Sequence, residues 1–227
     1  MKKILIIAAH PDDEVLGCGG TMARLAAEGA EVHVVILANG LTARPGFDTA
    51  KTEEALRVHH ERAVRAGKLL GASSTRVLGF PDQKLDTLPL LDITQAIERE
   101  IEKLQPDTVF TQHGGDLNQD HVITYRATLT ATRPMAGHCV RRVYAYEAAS
   151  STEWAFQRFE PRFHPGVFFD IAGMLEKKIA AMQVYESEAR AFPHPRSPEA
   201  LRAMARRWGS VVGVDLAEAF ELVREIQ

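Results

Sequence analysis

A chain of 227 residues with 45% hydrophobic and 25% charged side chains can bury a sizeable core and is too apolar to be disordered or fibrous. Its formal net charge of −3, without a long basic run, argues against nucleic acid as a partner. No stretch is long and apolar enough to span a membrane, and the opening MKKILIIAAH has only a short apolar run without a small-residue cleavage site, so the expected location is the cytoplasm.

Residues 4–9 are bulky, partly β-branched and uncharged, the pattern of a strand covered on both faces of a parallel sheet. His10 stands at its carboxyl end, followed by Pro11, Asp12, Asp13 and Glu14, and the apolar spacing beyond predicts a helix from about Asp13 to Gly29. Ligands of open α/β sheets bind beyond that end of the strands. One acid there would serve as a dipole complement worth ~0.3 to 1 kcal/mol. Three consecutive acids after a histidine repel one another, and a divalent cation offsets that repulsion. The run Gly17, Gly19, Gly20 lacks the GxGxxG spacing and lies behind three negative charges that would repel a pyrophosphate, so it is not read as a dinucleotide loop. Cys18 and Cys139 are too few for a disulfide framework and are read as small hydrophobes.

A second strand is predicted at 31–38, with His33 structural, then a polar loop over 39–51 containing Arg44 and Pro45. A charged amphipathic helix over 52–70, closed by Gly71, places His59 and His60 on its surface. A short strand at 75–80, the loop PDQKLDTLP with Asp82, a helix at 90–104 and a strand at 107–113 ending in His113 follow. Beyond a loop of Gly, Asp and Asn, His121 opens a helix to about 132. Alternating strands and helices imply a doubly wound sheet, so the two histidine-tipped strands share one edge and their ends can converge on one ion. His10, Asp13 and His121 would supply two nitrogens and one oxygen, a catalytic set because a fourth position stays open for water. His113, Asp116, Asn118 and Asp120 read equally well as parts of a turn. Farther on come a strand at 144–149, a long loop at 150–165 with Trp154, Phe156 and Phe159 suited to a lid or interface, and a helix at 171–188. His194 and Arg196 lie in a Pro-rich turn, read either as solvated structure or as a contact to an anionic or hydroxylated substrate. The pattern over 211–226 fits helix or edge strand.

The pair AHPDDE (9–14) and DLNQDH (116–121), with VLGCGGT, TATRP and SSTEW (150–154), resembles the PIG-L/LmbE-like family of zinc-dependent de-N-acetylases, and the likeness covers most of the chain. The resemblance implies a Rossmann-like three-layer α/β/α sandwich with a mostly parallel sheet in one domain over 1–227, and a late strand at 217–223. It implies a zinc-dependent hydrolase that removes an N-acyl group, above all acetyl, from an amino sugar, glycoconjugate or related small metabolite. By position His10, Asp13 and His121 are the zinc ligands and Asp12 the general base. Many members have a histidine where this chain has Asn118, and that histidine helps stabilise the oxyanion. Here the role falls to the Asn118 amide or to His113. Two histidines and an aspartate also accept Fe(II) or Co(II). The expected partner is a small amide, an N-acetylated sugar in the first instance, and the aromatic 150–165 loop leaves a homo-oligomer open. Arg44, Asp82, Arg196 and SSTEW are candidates for recognising the leaving group. Two alternatives remain: an amidase cleaving a thiol or aminoglycoside conjugate with the same metal and base, and a non-catalytic metal- or nucleotide-binding domain, against which the extra carboxylate of Asp12 argues.

Overall fold

A computed structural model describes residues 1–41 and 52–227, so Arg44 and Pro45 lie outside the described residues. Strand β1, Lys3–Ala8, enters with Ile4, Ile6 and Ala8 in one apolar cluster and Leu5 and Ile7 in the other, which is why the run shows no alternation in sequence. Each fully buried leucine or isoleucine among them stabilises the fold by ~1.5 to 3 kcal/mol. Helix α1, Asp13–Ala27, leads to β2, Glu31–Ala38; helix α2, Thr52–Leu69, to β3, Ser74–Phe80; and helix α3, Leu90–Leu104, to β4, Thr108–Gln112. Helix α4, Gln119–Ala131, then precedes β5, Arg142–Tyr146.

Seven strands form one sheet in the order β3-β2-β1-β4-β5-β7-β6, with β6 at Val167–Asp170 and β7 at Ala217–Glu225. The first five are parallel, while β7 runs antiparallel to both β5 and β6. The apolar cluster containing Ile4 and Ile6 packs α1 and α2 on one face, joined by α5, Leu175–Val184; the cluster containing Leu5 and Ile7 packs α3 and α4 on the other. This is the expected three-layer sandwich. The chain runs outward from β1 to β3, then returns to place β4 on the other side of β1, so the crossover direction reverses between β1 and β4. A crevice opens at such a switch point.

The C-terminal third differs from the expectation. The stretch expected as helix from 171 begins only at Leu175, and Val167–Asp170 is a strand. Helix α6, Pro198–Val212, was not expected at all, although Ser197 accepts a hydrogen bond from the Ala200 amide and Pro198 follows it, an N-terminal signature readable from sequence. The late strand is present, as the resemblance implied, but lies inside the sheet between β5 and β6. The glycines of α1 have a packing role: a Cβ on Gly17 would stand 2.1 Å from the Tyr146 ring, and one on Gly20 would stand 2.8 Å from Ile171. They let α1 lie directly on the sheet.

Candidate metal centre and its cavity

Between β1 and α1 the chain reverses within His10, Pro11 and Asp12. Asp12 adopts the left-handed conformation, φ 114°, which a residue with a Cβ accepts only under constraint. Asp13 closes the turn by accepting the His10 amide at 2.9 Å. Glu14 accepts the Asp12 amide at 3.0 Å and the Tyr185 hydroxyl at 2.6 Å, so this third acid braces the turn and does not face the cavity. Deeper in α1, a buried Lys178–Glu218 ion pair holds the helix. Lys178 donates to the Leu16 carbonyl at 2.7 Å, and Glu218 accepts the Gly20 and Thr21 amides at 2.9 and 2.7 Å.

From β4 the chain returns through the 113–118 loop, and α4 begins beside this turn. Asn118 is its N-cap, accepting the Asp120 amide through Oδ1 at 2.9 Å, which leaves the side-chain amide nitrogen as a donor. His121 Nε2 lies 3.2 Å from Asp13 Oδ2, and His10 Nδ1 lies 3.3 Å from the same oxygen. The donor atoms of His10, Asp13 and His121 fall within 4.8 Å of one another, and all three residues are buried. The sequence-derived ligand set is thus brought together from the ends of two neighbouring strands. Gln112 Nε2 donates to Asp13 Oδ2 at 3.0 Å and fixes it further.

The electrostatics favour positive charge at this point. Burial would lower the pKa of the His10 imidazole, but Asp120 and Asp13 more than offset it and lift His10 to about 9. Burial likewise opposes the charging of His121, while Asp13 and Asp116 lift it to about 10. Burial works against ionisation of Asp13, yet the two histidines hold its carboxyl well below the usual range. Two imidazole nitrogens and an ionised carboxylate, buried and convergent, fit a divalent transition metal. Asp116 stands behind His121, 3.3 Å from Nδ1, and is itself held by the Thr152 hydroxyl at 2.6 Å and by Ser151. Carboxylates in that position orient ligating imidazoles.

Asp12 faces the cavity and belongs to neither of the three-residue groups able to hold an ion. Burial pushes its carboxyl up to about 7 against the opposing Arg196 guanidinium, whose Nη1 is 2.7 Å from Asp12 Oδ2. A cavity of ≈ 310 Å³ opens here, lined by His10, Asp12, Asn118 and His121 together with Asp82, Ser150, Glu188 and Arg196.

His113 is placed differently from the expectation. Its ring nitrogens lie 2.9 Å from Glu221 and 2.8 Å from the Pro161 carbonyl oxygen, and it does not line the cavity, so it ties β4 to β7 and to the 150–165 loop. A carbonyl-bound, 1% exposed ring has no donor to turn toward a reacting oxygen. His59, expected on a helix surface, is buried at 2% exposure with its ring 6.2 Å from that of Tyr185. Asp82 and Asp120 are the features the sequence reading underrated: with His10 Nε2 at 3.5 and 3.0 Å they form a second buried group around the same imidazole. Their signal was positional, since each follows a strand at the carboxyl edge of the sheet.

A family model described as GlcNAc-PI de-N-acetylase, PIG-L, matches residues 5–132. The uncharacterized deacetylase YaiS of Escherichia coli is 32% identical over 192 residues, covering 82% of this chain and 91% of that protein. Diacetylchitobiose deacetylase of Thermococcus kodakarensis is 25% identical over 241 residues, 98% of this chain and 84% of its own. Among solved structures, the conserved protein TT1542 of Thermus thermophilus superposes with a TM-score of 0.77 at 28% identity, over 100% of this chain and 97% of its own. GalB of a Pseudomonas, a 4-carboxy-2-hydroxymuconate hydratase, has the same fold with a TM-score of 0.77 at 22% identity, over 100% of this chain and 98% of that one.

Proposed function

The chain belongs to the PIG-L, GlcNAc-PI de-N-acetylase, family, and from that premise we propose that it is a metal-dependent hydrolase removing an N-acyl group, in the first instance acetyl, from an amino sugar or a related small molecule. Fold alone does not choose the reaction, because a hydratase has the same architecture. The observation that carries the reading is the juxtaposition of the buried His10, Asp13 and His121 cluster with a separate carboxylate, Asp12, at the wall of one cavity. Metal-assisted amide hydrolysis uses those two parts, an ion and a base beside it.

His10, Asp13 and His121 would hold the ion, zinc first and Fe(II) or Co(II) as substitutes; bound there, it supplies Lewis acidity toward the amide carbonyl and acidifies water. Asp12 takes the proton of the attacking water and delivers it to the nitrogen of the departing amine. The Asn118 amide, fixed by its capping bond, donates to the carbonyl oxygen as charge develops there. The carboxylates of Asp82 and Glu188, which also line the cavity, would accept from the hydroxyls of a leaving group. The working unit is proposed to be one domain spanning 1–227, acting as a cytoplasmic enzyme.

Acetate release from a panel of N-acetylated amino sugars, beginning with N,N'-diacetylchitobiose and N-acetylglucosamine, tests this with zinc-loaded protein. Release that is abolished by chelation and restored by metal is expected. No release from any member, together with cleavage of a thiol or aminoglycoside conjugate, would transfer the protein to the amidase alternative.

A further inference from the structure

Asp12 and Asp13 are adjacent carboxylates at one cation site, yet only Asp13 points into the His10 and His121 cluster. An ion of high charge density attracts any carboxylate within reach, and a second aspartate one residue away would close the position that substrate and water need. Something must hold Asp12 aside. Its backbone is held in the left-handed conformation, φ 114°, and its side chain lines the cavity outside the ion-holding groups. The other restraint is Arg196, whose Nη1 grips Asp12 Oδ2 at 2.7 Å. Arg196 is itself fixed by Glu188 at 3.0 Å and, through Nε, by the Ser150 hydroxyl at 2.7 Å. It immediately precedes Ser197, the capping residue of α6, so the guanidinium is mounted on the start of a rigid helix. Asp12 is 2% exposed, and water is a poor competitor for its oxygen at that depth.

We propose that Arg196 is a positioning residue that keeps the Asp12 carboxylate out of the metal's coordination and so leaves it available as a base. The inference rests on the reading of Asp12 as the base, and it assigns Arg196 a role toward Asp12 instead of toward the substrate.

Cobalt(II) alone is the probe. Its visible bands are intense at low coordination number and weak when six ligands surround it, so the spectrum reports an added carboxylate without any turnover. Full-length protein loaded with one equivalent of Co(II) should keep its metal stoichiometry in Arg196→Ala and Arg196→Gln but lose visible absorption severalfold as Asp12 enters the coordination shell. Arg196→Lys should retain most of it. Adding Asp12→Asn to Arg196→Ala should restore the intensity of Asp12→Asn alone. A wild-type spectrum in both Arg196→Ala and Arg196→Gln overturns the proposal, and so does weakened absorption that persists in the double variant, since another group would then have entered. Should Arg196→Ala fail to fold by circular dichroism, the longer Arg196→Gln decides. Wild-type protein that binds no cobalt refutes the metal premise and this inference together, whereas absence of acetate release alone refutes only the proposed reaction.

Discussion

At the scale of single residues, a three-ligand site has no redundancy. His10→Ala, Asp13→Ala and His121→Ala are each expected to lose bound metal as well as turnover, and elemental analysis finding full occupancy in His121→Ala would remove that residue from the set. Asp12→Asn keeps shape and loses basicity. It should retain stoichiometric metal and native stability while kcat falls by at least ~10²; metal loss comparable to Asp13→Ala would mean that the two neighbours have been assigned in reverse. Asn118→Ala should cost ~10² to 10³ in kcat with metal unchanged, the usual consequence of removing one oxyanion donor. A wild-type rate in that variant would leave the carbonyl oxygen to another donor.

At the scale of elements, helix α1 carries two conflicting demands. Its glycines weaken it by ~1 kcal/mol each relative to alanine, yet Gly17 has the Tyr146 ring where a Cβ would go, at 2.1 Å. Tyr146 cannot retreat without giving up its hydrogen bond to the Ile7 carbonyl at 2.9 Å. Overpacking therefore exceeds the gain in helix propensity, and Gly17→Ala should lower stability by ~1 to 3 kcal/mol in urea denaturation. An unchanged midpoint would show that the contact relaxes. The parallel half of the sheet was legible because each strand–helix unit carries its own apolar signal, and the HPDDE turn was legible because like charges in sequence demand a common partner. The antiparallel half was not: Val167–Asp170 is only four residues long and half-buried, too short to outweigh the loop signals around it. Beyond the two motifs, the sequence candidates Asp82, Arg196 and the start of SSTEW, Ser150 and Ser151, do line the cavity, but which side chains meet there was not legible. Arg196 meets Asp12 across 184 residues, and Asp120 meets His10 across 110, separations at which no local pattern operates.

For the molecule as a whole, stability should respond to pH through Glu147, a partly covered carboxyl that accepts the Trp208 indole N–H at the back of α1's packing surface. Burial pushes it up from 4.5 to about 7, with Glu153 adding to the rise and Trp208, Lys178 and Arg207 opposing it. A raised carboxyl binds its proton more tightly folded than unfolded. Its contribution is therefore complete below about 4.5 and lost as pH climbs through about 7. Because the group keeps some solvent contact, we set the effect at about 1 kcal/mol. Glu147→Gln should match wild type near pH 4.5 and be the more stable protein at pH 8, by denaturation at both; a gap of equal size at the two pH values would assign the effect to packing.

The clamp on α1 also has a consequence in time. Glu218 meets the Gly20 amide across 198 residues, so the motif-bearing helix is translated early, while the carboxylate that fastens it arrives only with β7. During synthesis on the ribosome, the HPDDE turn must wait, unclamped, for nearly the whole chain. A nascent chain stalled before residue 218 should expose α1 to protease even though every candidate ligand has already been made.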